Sequence, residues 1–333
     1  MRIAHFSIGF ALGGVFLLSL AAPAGAGILE VVPGAEAAYS LRQLHDGYAG
    51  YAIEVRSSGG GTANIGFDAN GRLDTAALLS AVGAGNDGFV IRWYDQVGSA
   101  HVAQNTANLQ PQIVANGAVV TDSVNGLPAI RFTDDALNYA GNLSNSAMSV
   151  FTAASWINPP TNNNSVAQRL WTMRAGDSTR AAAGGNSSNF AVSYARNPTP
   201  THTILTTGTP IVPNQPFVLS YLYDNTLEGM NDWVRLRLDG LQIGLVTNDL
   251  SVSGVNNFTV GSHTLTDRRF DGLMQELIVY HSSLSSANLA GVEGRMMALY
   301  IPEPGSVLLL LAGGLATLLW RPRRKHNHRF STN

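Results

Sequence analysis

The side chains best suited to chemistry in this chain are carboxylates, amides and aromatic rings. The run Trp93-Tyr94-Asp95-Gln96-Val97-Gly98 sets a carboxylate beside an amide in a turn. Asp95 can accept hydrogen bonds from sugar hydroxyls in fixed geometry, and Gln96 can add donors and an acceptor. The same two side chains can instead satisfy backbone groups of a tight turn. Trp156, Trp171, Tyr194 and Trp233 offer flat faces for the C–H side of a sugar ring, or else core packing. Trp156 and Trp171 flank an Asn-rich loop, which points them toward the rim of a site.

Asp134-Asp135 and the stretch from Asp267 to Asp271 carry oxygen ligands that could hold Ca²⁺, but without EF-hand spacing, and solvated loop acids account for them better. The eight His residues form no His-x-x-x-His pair, so a zinc-type catalytic centre has no support and no metal ligands are assigned. Gly59-Gly60-Gly61 lacks the Gly-Lys-Ser/Thr that would make a phosphate loop and reads as a hairpin tip. With no Cys in the chain, disulfides, thiolate metal sites and cysteine nucleophiles are excluded. Apart from weak Ca²⁺ candidates, no cofactor is expected.

The chain has 333 residues, enough to bury a sizeable core. Its formal charge of −2 hides an asymmetry. Arg2, Arg321, Arg323, Arg324, Lys325 and Arg329 lie at the ends, and Glu303 is the one acid there. Gly27 to Tyr300 therefore carries 14 basic against 21 acidic residues, a net of −7. Nucleic acid is not an expected partner, because binding it needs a positive face to displace counterions.

Met1 to Ala26 reads as a secretory signal: Arg2 supplies the positive start, Ile8 to Leu20 a short apolar run, and Ala24-Gly25-Ala26 a small-residue cleavage site. An uncleaved anchor is the alternative. At the other end stand Pro302-Glu303-Pro304, an apolar stretch from Val307 to Trp320, and the cluster Arg321-Pro322-Arg323-Arg324-Lys325. That order resembles the PEP-CTERM sorting signal over roughly Ile301 to Arg329. The resemblance implies export in a Gram-negative bacterium that makes extracellular polysaccharide. It also implies an exosortase-type protease that cuts near the triplet, and passage through the inner membrane during sorting. The apolar stretch of about 14 residues is short for a permanent span, and the arginines behind it would stay cytoplasmic. A lasting C-terminal anchor shares that topology and differs only in whether the tail is cut.

Between the ends, short apolar-alternating runs are separated by Gly, Asn, Asp, Ser and Pro. Ala52 to Arg56, Phe89 to Tyr94, Phe217 to Tyr223 and Trp233 to Leu238 each read as strands with one wet face. Asp239-Gly240 is a hairpin signal, since a type I′ turn needs φ > 0. Asp74 can cap a helix over Thr75 to Val82. A second helix is expected over Ser285 to Leu299, capped by Ser285 or Ser286, with Leu289, Val292, Met296 and Leu299 on one face. Asn142 to Asn164 and Gly184 to Pro216 are rich in Asn, Thr and Pro and are expected to hold long loops. The pattern is all-β, a sandwich or barrel.

Two stretches resemble known proteins. Ala38-Tyr39-Ser40-Leu41-Arg42, Trp93-Tyr94-Asp95-Gln96-Val97-Gly98, His101-Val102-Ala103-Gln104 and Asn125-Gly126-Leu127-Pro128-Ala129-Ile130-Arg131-Phe132 are similar to the start of the α-L-arabinofuranosidase B catalytic domain. In that family's Tyr-Asp-Gln motif, Val97 here replaces a Ser, and Ser99-Ala100 replace an Asn-Gly pair. Phe270-Asp271-Gly272-Leu273-Met274-Gln275-Glu276-Leu277-Ile278-Val279-Tyr280, then Leu284-Ser285 and a helix, look like the last strand of laminin G-like sandwiches. The implied fold is a concanavalin A-like jelly-roll β-sandwich over residues 27–300 with one or two short helices, between a signal peptide (1–26) and a sorting tail (301–329) with membrane segment 307–320.

The resemblance also implies an activity to test: a retaining glycosidase needs two carboxylates about 5 to 5.5 Å apart. The family's nucleophile segment maps near Asn189 to Thr203, and no acid stands between Ala181 and Leu222. Its acid/base maps onto Val260-Gly261-Ser262-His263, where His263 sits near the Asp position. The catalytic candidates are therefore Asp271, Glu276 and His263. The functions expected are, first, binding of extracellular polysaccharide at the cell surface, then hydrolysis of arabinose-containing polysaccharide, then a structural surface or biofilm-matrix role.

Overall fold

The computed structural model describes residues 27–161, 168–195, 202–226, 231–265 and 267–302. The chain opens with α1 (Ile28–Val31), β1 (Ala35–Ser40), β2 (Ile53–Ser57), β3 (Thr62–Ile65), α2 (Thr75–Val82) and β4 (Gly88–Trp93). It continues through β5 (Val102–Ala103), a 3-10 turn at Ala107–Leu109, β6 (Gln112–Ala115), β7 (Ala118–Val119), β8 (Ile130–Phe132) and β9 (Leu137–Tyr139). The long strands follow: β10 (Ala147–Trp156), β11 (Gln168–Ala175), β12 (Ser178–Asn186), β13 (Asn189–Ala195), β14 (His202–Pro210) and β15 (Phe217–Asp224). Last come β16 (Trp233–Leu238), β17 (Leu241–Thr247), β18 (Asn257–Val260), β19 (Gly272–Tyr280) and α3 (Ser286–Tyr300).

Antiparallel ladders arrange these strands in two layers. In the first, β19 pairs with β10 along one edge and with β8 and β1, end to end, along the other. The layer runs on through β15, β16 and β17. The second layer has the order β9, β18, β11, β12, β13, β14. A smaller N-terminal sheet around β2, β3 and β4 joins both layers, because β6 pairs with β8 and β5 with β9. The fold is the β-sandwich expected from the alternating runs.

The core lies between the layers. Val150, Leu219, Tyr221, Leu236, Leu277 and Val279 meet Trp171, Met173, Ala183, Val192, Phe258 and Val260. The back of the first layer is covered as well: Phe151, Val218, Leu222, Ile278 and Tyr280 lie under Ile28 of α1 and Leu289, Val292 and Met296 of α3. Each such side chain stabilises the fold by about 1.5–3 kcal/mol when fully buried. β19 is thus buried on both faces, and a bulge at Gln275 sets its phase: Ala153 faces Glu276, while Ala154 faces Met274. The extra residue turns Glu276, Ile278 and Tyr280 toward α3 and leaves Met274 on the core side.

Local signals form as expected. Asp74 accepts from Ala77 N to cap α2, and Ser285 accepts from Asn288 N to cap α3. Asp239 and Gly240 adopt φ of 48° and 78°, as the β16–β17 hairpin requires. Leu299 departs from its expected place on the buried face of α3; it is exposed, and Tyr300 fills the position. The expected long loops need a larger correction. Residues 142–164 contain β10, and residues 184–216 contain the end of β12 with β13 and β14. Ala, Gly, Ser and Thr lie on both faces of these strands, so the apolar alternation that signals a strand is muted. Among the described residues no helix is long and apolar enough to cross a membrane. Met1 to Ala26, the stretch 307–320, Glu303, Pro304, Arg321, Arg323 and Arg324 lie outside the described residues.

Candidate functional site

The two outer faces of the sandwich differ. Helices cover the first layer, whereas the second turns small and polar side chains outward. Its register sets them in rows. Thr259 of β18, Thr172 of β11, Ala182 of β12 and Ser193 of β13 are cross-strand partners, and so are Arg169, Gly184 and Ala191. The intervening row, Val260, Trp171, Ala183 and Val192, points into the core. The resemblance maps a nucleophile near β13, and the positions there that face outward are Ala191 and Ser193.

The outward rows are sealed from solvent, and their polar atoms are poorly matched. Arg169 has no exposed surface, and its Nε, Nη1 and Nη2 have no hydrogen-bond partner. Ser193 Oγ, Thr179 Oγ1, Asn186 Oδ1 and Arg174 Nε are likewise buried without partners. Buried polar groups in folded proteins are almost always paired, so such a concentration marks a place where a ligand could complete the bonding. Burial and the neighbouring Arg268 push the Arg169 guanidinium down to about 9, so it stays charged at neutral pH.

Beside the rows lies a cleft of about 1020 Å³ lined by Asn158, Pro160, Gln168, Ile211, Arg268 and Arg269 among others. Gln168 organises its floor: Oε1 accepts from Trp156 Nε1 at 2.7 Å, and Nε2 donates to Asn158 O at 2.8 Å. Asp271 closes this network. Its Oδ2 accepts from Asn158 Nδ2 at 2.8 Å, while Oδ1 is buried with no partner. Asp271 itself lies behind the lining, and the acids that line the cleft are tied to cations, Asp134 to Arg269 at 3.0 Å and Asp267 to Arg268 at 3.1 Å. These are the acids offered above for Ca²⁺; the described residues contain no group of three that could hold a metal ion.

His263 stands next to the cleft, its Nδ1 3.0 Å from Arg268 Nη1 and 3.4 Å from Asp267 Oδ2. Burial, helped by Arg268 and outweighing Asp267, pushes its imidazole down to about 4. It is neutral at pH 7 and accepts from Arg268. Arg268 adopts φ 53°, a strained value for a residue with a Cβ, of the kind that clusters at functional sites.

The remaining candidates fall elsewhere. Glu276 is buried beneath α3, where it binds Arg42 through two bonds of 2.9 and 3.0 Å and accepts from Ser40 Oγ and Tyr300 OH at 2.8 Å each. Asp271 and Glu276 therefore do not form one site: Asp271 bonds Asn158 beside the cleft, and Glu276 lies beneath α3. Asp95 accepts from the backbone N–H groups of Ala38, Val97, Gly98 and Ala100. Gln96 accepts from Leu44 N and donates to Ser40 O and Arg42 O. Both side chains serve the turn. The rim position expected for Trp156 and Trp171 is corrected, since both are wholly buried. Trp156 stacks on Phe217 at 5.0 Å and Trp171 meets Tyr221 edge-on at 5.1 Å. Apolar rings gain more from the core than from a wet loop. Sequence reasoning missed Arg169, whose local context Gln168-Arg169-Leu170-Trp171 reads as an ordinary strand.

Residues 301–325 match the PEP-CTERM protein-sorting motif, a mark of export and surface sorting by exosortase-type machinery. No curated protein matches the chain by sequence. The fold is similar to a crystal structure of arabinofuranosidase complexed with arabinofuranosyl-α-1,2-xylobiose, at 15% identity and a TM-score of 0.59. It is also similar to a GH54 α-L-arabinofuranosidase soaked with a cyclic sulfate inhibitor, at 14% identity and a TM-score of 0.61. Each match covers 82% of this chain, which spans 64% of the length of either neighbour.

Proposed function

We propose that this protein is exported to the cell surface and binds extracellular polysaccharide on the outer face of its second layer and in the adjoining cleft. The observation that carries this reading is the set of buried polar atoms without partners, from Arg169 to Ser193, on a sheet face that no helix among the described residues covers. A polysaccharide supplies the alternating donors and acceptors that such a face lacks. The sorting motif supports the location. The test is affinity electrophoresis of the full chain, in mild detergent, through gels containing neutral arabinan or polygalacturonate. Retardation by either supports binding; free migration through both would overturn it.

Asp271 favours a second reading, hydrolysis in the cleft, because one of its carboxylate oxygens is buried and unused. Glycoside hydrolysis needs a second carboxylate, and the acids at the cleft wall, Asp134 and Asp267, are paired with arginines. Chromophore release from an α-L-arabinofuranoside, abolished by Asp271→Asn, would make the cleft catalytic. No release leaves it a binding site.

A further inference from the structure

We propose that Arg169 anchors the carboxylate of an acidic sugar, so that the polysaccharide bound here is one containing uronate units. This rests on the polysaccharide-binding reading and assigns a ligand class to the same site.

The chain shows how it treats a partly buried arginine that is structural. Arg42 meets Glu276 through Nε and Nη2, and Arg237 meets Glu293 in the same way, at 2.8 and 3.0 Å. Each guanidinium fork finds a carboxylate of matching geometry. Arg169 is more deeply buried than either and has nothing at Nε, Nη1 or Nη2. A lone buried cation is among the costliest arrangements in a folded protein, and it persists where function needs it.

Among the described residues no anion is held in reserve for Arg169. The charges that act on it are those of Arg268, of like sign, and Asp267, which is half exposed and already bound to Arg268. The neighbouring His263 is neutral, and Arg174 pairs with the exposed Asp177 through Nη1 while its Nε has no partner. The missing partner is an external anion. The rest of the face narrows its kind. Ser193 Oγ, Asn186 Oδ1 and Thr179 Oγ1 are unpaired hydroxyl and amide groups. A free inorganic anion would leave them unpaired; a polymer whose sugar units carry carboxylates beside hydroxyls can engage both sets. A planar carboxylate fits the guanidinium fork through two parallel bonds.

The cleft borders Arg169 through its backbone neighbours, while the Arg169 side chain itself is fully buried. Gln168 precedes Arg169, and Arg169 is bridged to Arg269 and donates its backbone N–H to Arg268 O at 3.0 Å. Gln168, Arg268 and Arg269 all line the cleft. The middle of the chain is acidic overall, with a net charge of −7, so an anionic polymer is drawn by this one place rather than by the surface at large.

The experiment compares the full chain with its Arg169→Met and Arg169→Lys variants on polygalacturonate, neutral arabinan and dextran sulfate, with a thermal melt of each. Expected is retention of the parent on polygalacturonate, weakened about tenfold or more in Arg169→Met. Arg169→Lys is expected to fall between, because it keeps the charge and loses the fork. The Arg169→Met melt is expected to be equal or higher, since a buried unpaired charge has gone. Equal retention in all three proteins, or a sharply lower melt for Arg169→Met and Arg169→Lys alike, would overturn the proposal by making Arg169 idle or structural. Stronger retention on dextran sulfate would replace the uronate with a sulfate ester. Retention on arabinan alone would sink the uronate while leaving polysaccharide binding in place; no retention on any polymer would end both.

Discussion

Tyr300, the last residue of α3, donates its phenolic hydroxyl to Glu276 of β19 at 2.8 Å, two residues before Pro302 opens the sorting triplet. Glu276 also holds Arg42 and Ser40, so one buried carboxylate ties β1, β19 and the end of α3 together. Tyr300→Phe is expected to destabilise the fold by about 1 kcal/mol, the worth of one such bond. Glu276→Ala leaves Arg42 facing no anion and is expected to cost about 3–5 kcal/mol. Urea midpoints read both, with an unchanged slope if only stability has moved.

Alkali should unfold the protein through its buried tyrosines. Burial raises the phenols of Tyr39, Tyr221, Tyr223, Tyr280 and Tyr300 well above their ordinary value of 10.0, and nearby Glu276 adds to the effect at Tyr280 and Tyr300. The protonated form is the one the fold accepts. Stability is therefore fully present below about pH 10 and falls as pH rises above it. Phenolate absorbance at 295 nm should appear together with loss of the β-sheet circular dichroism signal. A phenolate rise that is complete before unfolding would count against this.

Acid acts through His263. Its imidazole is pushed down to about 4 from an ordinary 6.5, so the unfolded chain takes up a proton there that the folded chain refuses. Its contribution is whole above about pH 6.5 and is lost as pH falls toward 4. In His263→Gln the melting temperature should decline less steeply over that window. Identical slopes would mean that neither burial nor the charge of Arg268 depresses the imidazole.

Asp95 separates turn from ligand. Its carboxylate serves four backbone N–H groups, from Ala38, Val97, Gly98 and Ala100. Asp95→Ala strands these donors and is expected to cost about 2–3 kcal/mol in chemical denaturation. Retention on polysaccharide gels at a temperature where the variant stays folded should match the parent; weaker retention would return Asp95 to the binding site.

Much of the frame was legible in the sequence because its signals are local. Asp74 caps α2 and Ser285 caps α3 through bonds spanning three residues, which a sequence window contains whole. Asp239-Gly240 names its turn because the backbone there must take positive φ. β12 and β13 stayed hidden because Ala182, Gly184, Ala191 and Ser193 are buried outside the apolar core and carry no alternation to read. Trp156 was misplaced for a related reason: its flank is loop-like, and its true neighbours, Phe190, Phe217 and Phe270, are distant in the chain.

By itself the sequence determined the class of the fold, its caps and tight turns, and the sorting motif at its end, all of which depend on residues a few positions apart. Which acid belongs to which site was decided only in three dimensions. Asp271, just before β19, and Glu276 within it are five residues apart, yet one bonds Asn158 beside the cleft and the other lies beneath a helix. Arg42 and Arg169 look alike in the chain, and only the packed sandwich gives one a carboxylate and leaves the other with none. Burial and partnership are properties of contacts between distant segments, and an unpaired charge becomes visible only when every neighbour that could have paired it has been placed.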